Sequence, residues 1–388
     1  MAFEVLRPVD ELAIAHIQLL HHQSLGSNLK VHTQQDGLPE LDDVSIAIIG
    51  IKENRQDRSF LGKSVDFTEV RRAFYELFPG NWHTHIADLG DIAQGESVRD
   101  TYFAVKQLNE TLIRKGIIPI YLGGSQDLTY PLYRSYDNLD QMVNLANVDA
   151  RFDMGDTSQE MHHRSYVGKI IIDQPYNLFN YSNIGFQTYF NPQEEIDLMD
   201  KLFFDTYRLG NVTADLSSVE PVLRDADIVS VDLECVKSSE LSYRHNKMPN
   251  GFDGKEICAI ARYAGISDRV STFGIFEYKN DDVEDTAAML VAQIIWYFIE
   301  GVNYRAKENL DVEKGNFVTY NVPVDDEVLT FYKSEKSERW WIEIPFISGV
   351  NNKLKRRTLL PCTYQEYLDA CDQHIPERWF KARRKNEV

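Results

Sequence analysis

Cysteine is scarce in this chain, with four among 388 residues, and the four (Cys235, Cys258, Cys362, Cys371) form no C-x-x-C pair. That scatter argues against a zinc site and for reduced thiols in a cytoplasmic setting. Long apolar runs are missing too, since no window reads as the ~18 apolar residues of a membrane span. The first residues, Met1 to Pro8, lack the basic-then-apolar order of a signal peptide, so none is expected. Positive charge is in deficit. Lys and Arg number 41 against 60 Asp and Glu, a net charge of −19, which argues against a general nucleic-acid binder. There is no internal repeat and no low-complexity tract. What the chain does have is 43% hydrophobic content, enough to bury a full core in one large domain or a large domain plus a smaller one.

Up to about residue 304, short β-rich runs alternate with longer helical patterns, which predicts an α/β fold around a mostly parallel sheet. Val44 to Ile51, Ile117 to Leu122, Met142 to Val148, Ile228 to Val231 and Phe273 to Phe276 read as buried strands. Asp66 to Phe78 reads as a helix with Val70, Phe74, Leu77 and Phe78 on its apolar side, stopped by Pro79-Gly80. Four of these strands run directly into polar or acidic residues. In parallel sheets the carboxyl ends of strands are where loops converge on ligands. The pattern predicts one shared site from residues 123–127, 149–153, 232–234 and 277.

Three stretches at those ends are Gly123-Gly124-Ser125-Gln126-Asp127, Asp149-Ala150-Arg151-Phe152-Asp153 and Ser230-Val231-Asp232-Leu233-Glu234. They resemble the arginase (ureohydrolase) family, whose motifs read roughly Gly-Gly-Asp-His, Asp-Ala-His-x-Asp and Ser-x-Asp-x-Asp. Ile86-Ala87-Asp88-Leu89-Gly90-Asp91, Asn183-Ile184-Gly185-Phe186 and the segment from Glu277 through Asn280, Asp281-Asp282 and Thr286-Ala287 extend the resemblance in order across residues 40–304. Asp149-Ala150-x-Phe152-Asp153 places the formimidoylglutamase-like branch nearest. The resemblance implies a three-layer α/β fold, two manganese ions, and hydrolysis of a guanidino or formimino compound in trimers or hexamers. It also implies that Glu277 meets the substrate's guanidinium or formimino group, with Asn280 where proline is usual.

Carried over residue by residue, Asp149 and Asp153 match acidic metal ligands, Asp232 matches the bridging aspartate, and Glu234 stands where an aspartate is usual. Both metal-binding histidines are replaced, one by Gln126 and the other by Arg151; Ser125 and Lys237-Ser238 also depart from the pattern. A glutamine carbonyl is a weak ligand, whereas a guanidinium keeps its proton and has no lone pair to give. About 5 Å from a divalent ion it is repelled by roughly 7 kcal/mol even at an effective dielectric of 20. The favoured expectation is therefore a degenerate centre without metal, in which Arg151 bridges the converging carboxylates. The alternative is a single manganese or magnesium ion on Asp149, Asp153, Asp232 and Glu234, with Arg151 swung aside. Glu277 either faces a ligand or pairs with Lys279. His162 and His163 lie where the family carries a catalytic or substrate-facing residue, or else form a solvated loop. His83 and His85 read as surface loop, and His16, His21 and His22 as part of an N-terminal helix with Leu12, Ile14, Ile17, Leu19 and Leu20.

Residues 305–388 break the charge pattern, with fifteen basic and fourteen acidic residues against a net −20 before them. Asn316 to Val322 and Trp340 to Phe346 read as strands, and Thr363 with Glu366 as a capping box for a helix striped by Tyr364, Tyr367, Leu368 and Cys371. The domain expectation is an arginase-like unit over 1–304 and a C-terminal extension over 305–388. That extension packs on the core, on another copy of the chain, or on a protein partner, because aromatics beside Arg and Lys favour interfaces. Nucleic-acid binding through the runs Lys353 to Arg357 and Arg378 to Lys385 is opposed by the overall charge. Two functions are carried forward: a binding or assembly protein that has lost the two-metal centre, and a one-metal hydrolase of a C–N bond in a guanidino or formimino compound.

Overall fold

The computed structural model describes residues 2–58, 65–139, 141–243, 247–279, 285–312, 314–344 and 359–387. Asn280, Asp281, Asp282, Pro345, Phe346 and the basic run Lys353 to Arg357 lie outside them. Among the described residues a ten-stranded sheet runs in the spatial order Leu6–Arg7, Ile86–Ile92, Ile46–Ile51, Ile118–Gly123, Thr272–Phe276, Ile228–Asp232, Val143–Val148, Leu178–Phe186 and Asp205–Arg208, with Lys30–Val31 also beside Ile86–Ile92. Every pairing is parallel except that of Leu6–Arg7. The expected strands are present with ends moved by one or two residues, and the helix expected over 66–78 spans Thr68–Glu76.

Side chains alternate across a strand, and here both faces are apolar. Ile46 and Ile48 join the core that holds helices Thr68–Glu76, Gly254–Ile266 and Thr286–Asn303, whereas Ala47, Ile49 and Ile51 join the core under Val98–Arg114. Helices Thr129–Arg134 and Tyr166–Ile172 complete that second layer. The result is three layers. Two of the helices touch almost backbone to backbone: a Cβ on Gly265 would fall 2.1 Å from the Phe298 carbonyl and 3.0 Å from Gly301 Cα. Contrary to the sequence reading of apolar runs, Thr286–Asn303 is long and apolar enough to cross a membrane by length and composition. Leu290, Val291, Ile294, Ile295, Phe298 and Ile299 are built into the core along with three alanines, which accounts for its composition.

The N-terminal helix is shorter than expected. It spans Glu11–Ile17, so His21 and His22 fall beyond it, and His16 pairs with Glu76 at 2.9 Å. At the sheet edge, Arg71 is 2% exposed and binds Asp88 through Nε (2.9 Å) and Nη2 (3.2 Å), with Nη2 also 2.8 Å from Asp91 Oδ1. Burial works against the Asp91 charge, but the Arg71 guanidinium and the Lys52 ammonium outweigh it and lower its pKa. A carboxyl lowered on folding adds stability above its unfolded value of ~3.9 and loses it as pH falls through the lower folded value. Asp91→Asn should therefore flatten the fall in unfolding free energy between about pH 5 and pH 3. Equal slopes for variant and wild type in urea titrations would refute this.

The C-terminal segment forms a four-stranded antiparallel sheet in the order Phe317–Val324, Glu327–Ser334, Trp340–Glu343 and Leu359–Cys362, followed by helices Tyr364–Cys371 and Glu377–Glu387. The Thr363–Glu366 capping box is formed. This unit packs on the main body. Arg224 donates from Nη2 to the Cys362 carbonyl (3.1 Å) and lies 4.6 Å from the Trp341 ring, while Lys381 Nζ reaches the Phe204 carbonyl (3.2 Å). Within the run Arg378 to Lys385, Arg378 donates to the Pro361 carbonyl and the buried Trp379 to the Glu343 carbonyl. These residues spend their hydrogen bonds on this chain.

Candidate functional site

Strands Ile118–Gly123, Thr272–Phe276, Ile228–Asp232 and Val143–Val148 are consecutive neighbours at the centre of the sheet. Their carboxyl ends bring Gln126, Glu277, Asp232 and Asp149 to one place, as the strand pattern predicts. Ligand atoms of Asp149, Asp153 and Asp232 all lie within 4.8 Å of one another, and the three residues are 1%, 4% and 6% exposed. Asp149 accepts from the Arg151 backbone N–H (2.8 Å) and from Asn147 Nδ2 (3.1 Å), and Asp232 accepts from the Glu234 N–H (2.6 Å). Asp153 Oδ2 and Gln126 Oε1 are buried with no hydrogen-bond partner among the described residues. Burial raises the pKa of all three aspartates, and for Asp153 and Asp232 the nearby Asp149 charge raises it further. Asp153 and Glu277 hold left-handed backbone, at φ 55° and 59°, a conformation that costs a non-glycine residue and clusters at functional sites.

Beside this trio stands a second group in which the acids share side-chain cations. Glu234 accepts from Arg164 Nη2 and from Lys279 Nζ, each at 3.0 Å. The Lys279 ammonium also lies 3.5 Å from Glu277 and 3.8 Å from Asp57. Burial opposes the Glu234 charge, yet Lys279 and Arg164 lower its pKa; Glu277, buried near Asp57, is shifted the other way. Glu277 Oε1 accepts the Gln126 backbone N–H (2.9 Å), so this acid ties two strand ends together and also pairs with Lys279.

Arg151 corrects the sequence reading. Its side chain does not bridge the carboxylates: Nη1 donates to the Phe190 carbonyl (3.2 Å) and the guanidinium sits 4.1 Å from the Phe190 ring centroid. The ring face and the carbonyl satisfy it outside the trio, and only its backbone N–H serves Asp149. The bridging role falls to Arg164 and Lys279. Gln126 is anchored through Nε2, which reaches Ser230 Oγ (2.9 Å), Asn147 Oδ1 (3.1 Å) and the Tyr166 hydroxyl (3.3 Å).

His163 is buried, with Nδ1 at 2.8 Å from the Gln56 carbonyl and 3.9 Å from Asp57, and burial lowers its pKa. It belongs to the loop flanking Lys279's partners rather than to the trio. His83 and His85 are exposed, and His85 pairs with Asp43 at 3.1 Å. Sequence reasoning missed Arg164 and Asp57. Arg164 follows His162-His163 directly, so its neighbourhood was in view, whereas nothing in the sequence around Asp57 points to the site.

The donor set divides accordingly. Three aspartate oxygens and the unpartnered Gln126 carbonyl suit one hard divalent cation. A second ion next to Glu234 would share its carboxylate with an ammonium and a guanidinium, and would find no imidazole at position 151, so these residues do not fit one.

A profile of the arginase family matches residues 44–300. An uncharacterized 32.2 kDa protein of Methanothermus fervidus is 26% identical over 225 residues, 55% of this chain and 74% of that protein. Among solved structures, formiminoglutamase of Trypanosoma cruzi with Mn2+ aligns at a TM-score of 0.61 and 17% identity, covering 73% of this chain and 99% of that one. The agmatine ureohydrolase of Thermoplasma volcanium aligns at 0.57 and 19% identity, over 69% and 92%. At such identities the likeness is one of fold.

Proposed function

Because the chain belongs to the arginase family, we propose that it is a member whose two-metal hydrolase centre is reduced to one cation position, acting as a binding or assembly protein. The observation that carries this reading is the capture of Glu234 by Arg164 and Lys279. Two fixed side-chain cations take the place that a second metal's carboxylate ligand would serve. With Arg151 turned onto Phe190, no group at that position restores it. A bridged pair of ions activates water for attack on a guanidinium carbon, and one half of that arrangement lacks its ligands.

The second reading, a one-metal hydrolase, is favoured by the trio itself. Asp149, Asp153, Asp232 and Gln126 would hold one manganese or magnesium ion, and such an ion, when bound, lowers the pKa of a coordinated water. Glu277 is engaged by the Gln126 N–H and by Lys279, which leaves it less available to a substrate cation.

Metal content by mass spectrometry, on protein dialysed with excess manganese, tests the reading together with ammonia, urea and formamide release from a panel of guanidino and formimino compounds. The expected result is at most one ion per chain, lost in Asp232→Asn, with no turnover. Two ions per chain, or turnover of any panel compound, would overturn it.

A further inference from the structure

Away from the acid trio, a cavity of about 620 Å³ opens between helix Glu220–Asp225 and the C-terminal sheet. That helix leads into the start of strand Ile228–Asp232, whose other end carries Asp232, so the cavity and the trio belong to opposite ends of the strand. Its volume falls in the range of small-molecule sites, which favour seams between structural units. One wall is aromatic. The Trp340 indole has Tyr367 stacked on it at 4.7 Å, with Tyr320 at 5.1 Å and Tyr364 at 5.3 Å. Tyr364 is 54% exposed, leaving a ring available beside an otherwise packed cluster.

The remaining wall is mostly cationic. Arg224, Lys333 and Arg339 line it with Glu220 and Glu338. Glu220 serves two guanidiniums at once, with Arg224 Nε at 3.2 Å and Arg339 Nε at 3.7 Å. Arg224 is 5% exposed, and its Nη1 has no hydrogen-bond partner among the described residues. Lys333 has no ion-pair partner among them either. In a chain of net charge −19, a locally positive pocket floored by a buried guanidinium whose Nη1 has no partner among the described residues calls for a negative group.

We propose that this cavity binds a planar aromatic molecule carrying an anionic group, in the manner of a nucleoside monophosphate. The ring packs against the tyrosines around Trp340, a contact tolerant of ring identity. The anion meets Arg339, Lys333 and Arg224, where guanidinium forks give strong charged hydrogen bonds. Because the walls come from both units, the bound molecule also braces the C-terminal sheet against the main body.

The test is a titration of the full-length protein with adenosine monophosphate, adenosine and inorganic phosphate, read by tryptophan fluorescence. Trp340→Phe identifies the signal among the five tryptophans. Adenosine monophosphate should saturate a quench that Trp340→Phe removes. Arg339→Ala should weaken binding about tenfold or more, as losing one charged hydrogen bond would, and Tyr364→Ala about tenfold, as losing one stacked ring would. Melting temperatures confirm folding, and Lys333→Ala replaces any variant that does not fold. Absence of saturable quenching, or variants that bind like wild type, would overturn the proposal. So would adenosine alone binding as tightly as the monophosphate, since no anion site would then exist, or phosphate alone doing so, since the rings would then contribute nothing.

Discussion

Replacing Arg71 by methionine is expected to cost about 3–5 kcal/mol of folding stability, the penalty for breaking a buried ion pair from one side. Asp88 and Asp91 lie at 0% and 5% exposure, and Arg71 supplies three contacts to them plus one to the Gly90 carbonyl (3.1 Å). Methionine fills much of the volume, so the loss is electrostatic rather than a cavity. The Tyr75 hydroxyl, 2.8 Å from Asp88, remains as a donor but carries no charge. Denaturant titration at neutral pH measures the effect, with an unchanged slope showing that the same surface unfolds. A loss under about 1 kcal/mol would mean that water or neighbouring donors satisfy the two aspartates without Arg71.

The second large effect concerns Lys279. Lys279→Met leaves Glu234, Glu277 and Asp57 without the ammonium that lies 3.0, 3.5 and 3.8 Å from them. Arg164 still pairs with Glu234, but Glu277 is 2% exposed and its carboxylate keeps only the Gln126 N–H as a donor among the described residues. A loss of about 3–5 kcal/mol is expected in metal-free buffer. Millimolar manganese should then recover more in the variant than it adds to wild type, by up to about 2.7 kcal/mol at a hundredfold excess over its dissociation constant. That difference is the signature of an ammonium standing in for a cation. If manganese stabilises both proteins equally, Lys279 is a structural partner of Glu277 and nothing more. If the variant is as stable as wild type, the acids take up protons at no cost and the ion-pair account fails.

Much of the fold was legible because parallel strands buried on both faces are near-continuous apolar runs, and because the motifs at their ends come in a recognisable order. Ile46–Ile51 and Ile228–Asp232 stand out in this way. Short edge strands such as Leu6–Arg7, Lys30–Val31 and Asp205–Arg208 carry no such signal, since their place depends on a neighbour rather than on their own residues. Glu327–Ser334 escaped for a related reason: its partners on both sides lie in the C-terminal unit, and its pattern alone does not announce a sheet.

By itself the sequence determined five of the buried strands in the main sheet, the meeting of four strand ends, and the chemistry absent from positions 126 and 151. Residue type decides those matters, because a guanidinium cannot coordinate a cation wherever it points. Only the tertiary structure decided which cation serves which acid. Arg151 finds a ring and a carbonyl nearby and leaves the trio, while Arg164 and Lys279, from two different loops, reach Glu234. Side-chain direction and distance set those pairings, and neither is written in spacing along the chain.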